Sequence, residues 1–229
     1  MKLNNLHKLS KFSSYPFIKC NLAEFTFQTH IKNGFKYSYN NLPNDSDKTR
    51  QRRYANYEVI IANRNSIHIN HTGKTTFSQN VNDSRKNERI FELIENPYNE
   101  FILAYIKLVS QILSAHNPIK NITVDVHQVR QLCYPGIDSH NSEEGIHQDG
   151  ADFVVPALII DRHNISGGIS SVYNNNKELL YRELLKENDF ILQDDKDLFH
   201  YVTPIKYYES DGFEDYGYRD LLGLDIIIK

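Results

Sequence analysis

The spacing of apolar positions changes character near residue 120. Before it, the strongest pattern is 96–118, NPYNEFILAYIKLVSQILSAHNP. Phe101, Tyr105, Leu108 and Ile112, with Val109 and Leu113 beside them, recur at helical spacing and form one apolar stripe. Asn96 is the expected cap, Pro97 suits the first helical position, and Glu100 falls in the first turn, where the helix dipole favours an acid. The Asn-Pro pair at 117–118 ends the helix, because proline disfavours helical geometry in the residue before it. After residue 120 the apolar runs are short: NITVDVHQVRQLCY, HQDGADFVVPALIID, GGISSVYN, DFILQDD, LFHYVTPIKYY and YRDLLGLDIIIK. Turn formers such as PGIDSHNSEEG, NISGG and QDDKD separate them. Many short strands punctuated by turns predict an all-β barrel or sandwich.

Towards the N-terminus, NNLPNDSDKTRQRRY (40–54) reads as a polar loop leading into the strand YANYEVIIAN. HINHTGKTTFSQNVNDSR (68–85) reads as a hairpin or excursion. The expected architecture is α+β and mainly β. Residues 1–229 form one domain, in which 1–119 give helical and strand support and 120–229 form the β core. The 229 residues suffice for one sizeable core. A net charge of -3 supplies no global field towards nucleic acid or an anionic membrane, so neither is an expected partner. No apolar run approaches the ~20 residues that span a bilayer, and the N-terminus lacks a secretory pattern. Cys20 and Cys133 fit no metal or redox spacing, which points to a reducing cytoplasm.

Composition leaves the chemistry open, and EGIHQDGADFVV (144–155) narrows it. If 146–155 is extended, His147 and Asp149 point to the same face, since strand residues two apart do so. The bland alternative is a solvated turn before a strand. A mononuclear iron oxygenase needs two histidines and one carboxylate around open coordination positions. Downstream lie only His163 and His200. His163 sits in the turn DRHNISGG, carried away from the strand start. His200 opens HYVTPI, far enough on for the chain to return, although an ordinary half-exposed histidine is its alternative. Arg219 lies in the last strand on one face with Leu221 and Ile227. An arginine aimed into an apolar interior needs an anion, either a carboxylate ligand or an ion pair with Asp220 or a neighbouring strand. His68 and His71 have a loose metal-like spacing but no third ligand nearby, and read as surface.

VHQVR (126–130), the run 144–168, LFHYVTPI (198–205) and GYRDLLGLDI (217–226) together resemble the small bacterial Fe(II)/2-oxoglutarate dioxygenases that include the free L-isoleucine 4-hydroxylases. RRYANYEV is the piece of residues 1–90 that aligns. The resemblance implies a double-stranded β-helix (jelly-roll, cupin-like) core. It implies that His147, Asp149 and His200 ligate Fe(II), that Arg219 grips the distal carboxylate of 2-oxoglutarate, and that O2 is the other co-substrate. The implied reaction hydroxylates the side chain of a free L-amino acid like isoleucine, leucine or methionine, releasing succinate and CO2; methionine could be oxidised at sulfur instead. Gln128, Arg130, Arg162 and Asp152 are the candidates for substrate contact. Each has a structural alternative, Arg162 for instance pinning the NISGG turn. The run KTRQRRYANY either reaches the site or is a solvated basic loop.

Three rivals are weighed. A nucleic-acid repair oxygenase wants a basic groove and further arginines after the second histidine, where this chain has Arg219 and Lys206. The same chemistry on a carrier- or peptide-bound residue needs no change in the triad. A non-catalytic cupin-like binding protein would show further histidines and a glutamate around 147.

Overall fold

The computed structural model describes residues 16–25, 29–45, 48–78, 89–115, 118–208 and 215–229. The described residues include two helices, α1 (Thr29–Lys36) and α2 (Glu100–Ser114), with short 3-10 turns at Leu22–Phe25 and Tyr37–Asn41. The strands before α2 are β1 (Phe17–Asn21), β2 (Arg50–Asn63), β3 (Ser66–His71), β4 (Thr76–Phe77) and β5 (Arg89–Ile90). After it come β6 (Asn121–Cys133), β7 (Phe153–His163), β8 (Ile165–Gly167), β9 (Ser170–Tyr173) and β10 (Leu179–Glu183). The chain closes with β11 (Asp189–Asp194), β12 (Phe199–Val202), β13 (Ile205–Tyr207) and β14 (Gly217–Ile228).

Seven strands form the larger sheet in the order β1-β11-β7-β14-β6-β2-β3, all antiparallel. The smaller wall is built from β10-β9-β12 and β13-β8, each extended by a single bridge, His147 to His200 and Ser139 to Ile205. This is the expected jelly roll. Three strands of the larger sheet, β1, β2 and β3, come from residues before 120.

Alternation along each strand splits the larger sheet into two faces. On β6, Ile122, Val124 and Val126 join the main core, with Leu222, Leu224 and Ile226 of β14 and Phe101, Ile102, Tyr105 and Ile106 of α2. The opposite face carries a smaller core of Val129, Ala157, Ile159 and Leu221 with Val172, Leu185, Ile191 and Leu198. The helices thus brace the outside of the large sheet, and the inside faces the small wall.

Two boundaries differ from expectation. The α2 helix starts at Glu100, and its cap is Asn99, whose side chain accepts from Phe101 N at 2.9 Å. Asn96 instead closes a preceding turn, its side chain accepting from Tyr98 N at 3.2 Å and its carbonyl from Asn99 N at 3.1 Å. Both are cap-type residues, and the turn decides between them. Strand β2 begins at Arg50, inside the expected loop, because Arg50 to Arg53 pair with Gln131 to Gln128 of β6. A central neighbour's hydrogen bonds outweigh the polarity of KTRQRR. Among the described residues no helix is long and apolar enough to cross a membrane, and Cys20 and Cys133 are buried.

Asn99→Ala is expected to cost about 1 kcal/mol, a fall in melting temperature of about 2–4 °C for a chain of this size, read by thermal unfolding.

Candidate active site

His147 and His200 face each other through two main-chain hydrogen bonds, His147 N to His200 O at 3.1 Å and His200 N to His147 O at 2.9 Å. Their ring centroids are 4.3 Å apart. The stretch expected to be extended from 146 to 155 is not: the strand starts at Phe153. Gly150, at φ +84°, turns the chain before it. Asp149 nevertheless comes back to the histidines, its Oδ1 3.6 Å from His147 Nε2 and its Oδ2 3.4 Å from His200 Nε2. One ligand atom from each of His147, Asp149 and His200 lies within 4.8 Å of the others.

The surroundings prepare these groups for a metal. His147 Nδ1 lies 2.9 Å from the Gly145 carbonyl and donates to it, leaving the Nε2 lone pair towards Asp149. Burial pushes the His200 imidazole down to about 4, with Asp149 pulling the other way. A neutral ring is the form that ligates. Gln193 reaches His200 Nδ1 at 3.3 Å, and its Oε1 has no partner. With that amide turned to present Oε1, Nδ1–H donates and Nε2 is free. Asp195 is buried, and its Oδ2 accepts from Gly150 N at 2.6 Å and Ala151 N at 3.2 Å, stapling the loop that carries Asp149. Burial and Asp149 push the Asp195 carboxyl up to about 7.

Arg219 points inward from β14 and is 1 % exposed. It lines a cavity of about 400 Å³ that also touches His200, with Ala157, Val172, Leu185 and Ile191 as an apolar sleeve. Its Nε and Nη1 make no hydrogen bond. Burial, then the neighbouring Arg162, pushes it down to about 9. The alternative of an ion pair with Asp220 is ruled out, since Asp220 lies on the opposite face in a bidentate pair with Arg130, both contacts at 2.7 Å. A buried cation without a counter-charge is costly and calls for an anionic ligand. Two imidazoles, one carboxylate and this guanidinium on a connected cavity are the donor set that Fe(II) and a dicarboxylic keto acid require.

Residues 36–225 match the model of the 2OG-Fe dioxygenase family. The chain belongs to that family. As a 2OG-Fe dioxygenase it uses Fe(II), 2-oxoglutarate and O2. Among curated proteins none matches. Solved structures share the fold. IDO from Bacillus thuringiensis is similar at TM-score 0.79 and 20% identity over 100% of this chain and 98% of that one. A bsmA homolog from Methylobium petroleophilum PM1 is similar at TM-score 0.84 and 18% identity over 100% and 94%. The Fe(II)/(alpha)ketoglutarate-dependent dioxygenase TqaL is similar at TM-score 0.73 and 15% identity over 98% and 87%.

The dioxygenase's cleft, about 650 Å³, adjoins the triad, and the four substrate-contact candidates are not among its lining residues. Gln128 and Arg130 lie on the helix face of β6, Gln128 donating to Ser38 and Arg130 bound to Asp220. Arg162 donates to the Gly167 carbonyl at 2.7 Å, the turn-pinning role, beside Arg219 rather than in the cleft. Asp152 accepts from Ile228 N at 2.6 Å and pairs with Lys196, fastening the end of β14. His163 stacks on Tyr218 with centroids 5.2 Å apart, away from the triad. His71 packs on Tyr57 and Tyr98, and His68 is exposed.

In their place the cleft is lined by His127 and Val129 of β6, Arg50 and Arg52 of β2, Arg89, Asp225 and Glu144. His127 and Val129 are the sequence neighbours of the residues proposed from the pattern, displaced by one and hence on the other face. Glu144 Oε1 lies 3.3 Å from His147 Nε2. Asp225 was legible as the lone carboxylate in LLGLDIIIK.

Asp220 is fully buried, and burial pushes it up to about 6 against the pull of Arg130. An acid with a raised folded pKa costs stability above its unfolded pKa and nothing below it. Arg130→Met, which removes the pull that lowers Asp220, is therefore expected to cost about 3 kcal/mol near pH 8, the gap to wild type shrinking as pH falls from about 8 through 6 and levelling off below about 5. Denaturant melts at both ends of that range check it; a gap independent of pH would refute the assignment.

Proposed function

We propose that His147, Asp149 and His200 hold Fe(II), that Arg219 holds the distal carboxylate of 2-oxoglutarate, and that the substrate is a free L-amino acid hydroxylated on an aliphatic side chain. The carrying observation is the meeting of three ligand atoms within 4.8 Å beside a cavity lined by a buried arginine whose Nε and Nη1 make no hydrogen bond. When bound, the iron centre with O2 and the keto acid supplies C–H oxidation, in which substrate, O2 and 2-oxoglutarate give hydroxylated product, succinate and CO2.

The chain's own residues do the rest. Arg219 fixes one end of the keto acid, and the Ala157–Val172–Leu185–Ile191 sleeve keeps water from its methylenes. Gly145 holds the His147 imidazole in its ligating tautomer, and Gln193, with its amide turned to present Oε1, does the same for His200. Asp195 keeps the Asp149 loop in place. Phe77, Val129, Val155, Pro156 and Leu221 give the cleft an apolar wall beside its charged groups, which suits a small zwitterion with an aliphatic side chain. Methionine fits the same wall, with oxidation at sulfur.

The test is anaerobic reconstitution with Fe(II) and 2-oxoglutarate, then exposure to O2 with a panel of free L-amino acids, following succinate and a mass gain of one oxygen. A gain on a carrier- or peptide-linked residue alone would sink the free-substrate reading and leave the metal site standing. Alanine at His147, Asp149 or His200 is expected to abolish iron retention and succinate release. Arg219→Ala is expected to raise the 2-oxoglutarate KM by a factor equivalent to roughly 2–4 kcal/mol, the worth of a charge-assisted pair in a dry pocket. Lys206 is no substitute, being 62% exposed and paired with Asp138 at 2.9 Å.

A further inference from the structure

The cleft has a charged wall that the iron and keto-acid chemistry leaves unused. Strand β2 sends Arg50 and Arg52 into it, and β5 sends Arg89. One carboxylate oxygen, Asp45 Oδ2, serves two of these guanidinia, at 3.0 Å from Arg50 Nε and 3.4 Å from Arg52 Nε. Only Arg50 makes a hydrogen bond there; Arg52 Nε makes none, although the Arg52 side chain is 10% exposed. Aromatic plates fix where these cations stand: Arg52 lies 5.0 Å from the Phe91 ring centroid, and Arg89 lies 5.3 Å from Phe77 and 5.7 Å from Phe91. From β14, Asp225 enters the same cleft, its Oδ2 3.2 Å from His127 Nε2.

We infer that Arg52 takes the α-carboxylate of the substrate and that Asp225, held by His127, takes its ammonium. The inference rests on the free amino acid reading above and names the groups that enforce it. Burial, then the neighbouring Arg50, pushes Arg52 down to about 9, so an arriving carboxylate relieves both costs. Burial raises the Asp225 carboxyl, and an ammonium beside it favours the ionised form in the same way. An amine without the carboxylate leaves Arg52 desolvated and underpaired; an acid without the ammonium leaves Asp225 so. Polar groups stranded in this way give strong discrimination, whereas the apolar wall discriminates weakly between methylenes. A peptide-linked residue offers neither charge at its α-carbon and fails on both counts.

The experiment is calorimetric binding, without O2, to protein loaded with Fe(II) and the unreactive keto-acid analogue N-oxalylglycine. Three ligands share one side chain: the amino acid turned over best in the panel, the amine lacking its carboxylate, and the acid lacking its ammonium. Wild type is expected to bind the amino acid at least ~10-fold more tightly than either fragment, since each fragment forfeits one charge-assisted contact worth tenfold or more. Arg52→Met should erase the preference over the amine, and Asp225→Asn the preference over the acid. Arg52→Lys should restore part of the first. The 2-oxoglutarate KM should stay within about twofold, since neither residue lines the keto-acid cavity. Unchanged amino acid affinity in Arg52→Met, with wild type still hydroxylating it, overturns the inference and spares the substrate reading. No free amino acid bound by wild type, with a peptide bound instead, overturns both. If Arg52→Met does not fold, equal wild-type affinity for amine and amino acid overturns the inference by itself.

Discussion

A pair of main-chain hydrogen bonds, between His147 and His200, is the tie on which the site depends. It fastens a loop that would otherwise leave the barrel to the edge of the small wall. Both imidazoles then sit at one mouth, although the residues are far apart in sequence. Asp149 follows two positions later through the turn at Gly150, and Asp195 holds that turn by two of its amides. Loss of the bridge would move one histidine with the loop and the other with β12. A metal site cannot absorb such a displacement, because ligand atoms must converge to within a fraction of an ångström.

The larger sheet separates two kinds of charge. On its helix face the charges are satisfied: Arg130 clasps Asp220, Lys36 reaches Asp161 at 2.6 Å, and Tyr218 donates to Asp161 at 3.0 Å. On the inner face they are not. Arg219 is without hydrogen bonds at Nε and Nη1, Arg52 at Nε, and Asp195 at Oδ1. Folding alone gives no reason to bury such groups, since hydrophobic residues of similar volume would be as stable or more so. The Arg219 nitrogens left without hydrogen bonds line the smaller cavity, where an anionic ligand would bring the missing charge.

The inner face is also divided along its length. Arg219 and the apolar sleeve occupy one end, the triad the middle, and the Arg50–Arg52–Arg89 wall the other cavity that meets it. His200, Pro156 and Asn141 line both cavities. In the proposed assignment a keto acid beside Arg219 and a second substrate beside Arg52 reach the triad from different cavities without sharing a cation. The proximity of the cavities, set by β7 and β14, gives the orientation that a reaction between two bound molecules requires.

Much was written in the sequence. The α2 stripe, the short punctuated strands and the lone polar residues His147, Asp149, His200 and Arg219 all rest on spacing or on a charge in an apolar run, which are local properties. The resemblance carried by residues 144–168 made the triad and the jelly roll legible together. What the sequence could not decide is which face of a strand is inside. Alternation tells that His127 and Gln128 part ways, and that Arg52 and Arg53 do, but not which of each pair turns inward. Gln128 and Arg130 were on that account assigned to the cleft, and they lie against the helices. Register against β14 and β2 settles the matter, and register is set by hydrogen bonds between residues distant in the chain. The same holds for Asp149, whose approach to the histidines depends on a turn and not on a strand, and for Arg162 and Asp152, whose partners Gly167 and Ile228 exist only once the strands have paired. Residue type and spacing determined the chemistry this protein carries; strand pairing decided which of its charges are left without partners at the metal position.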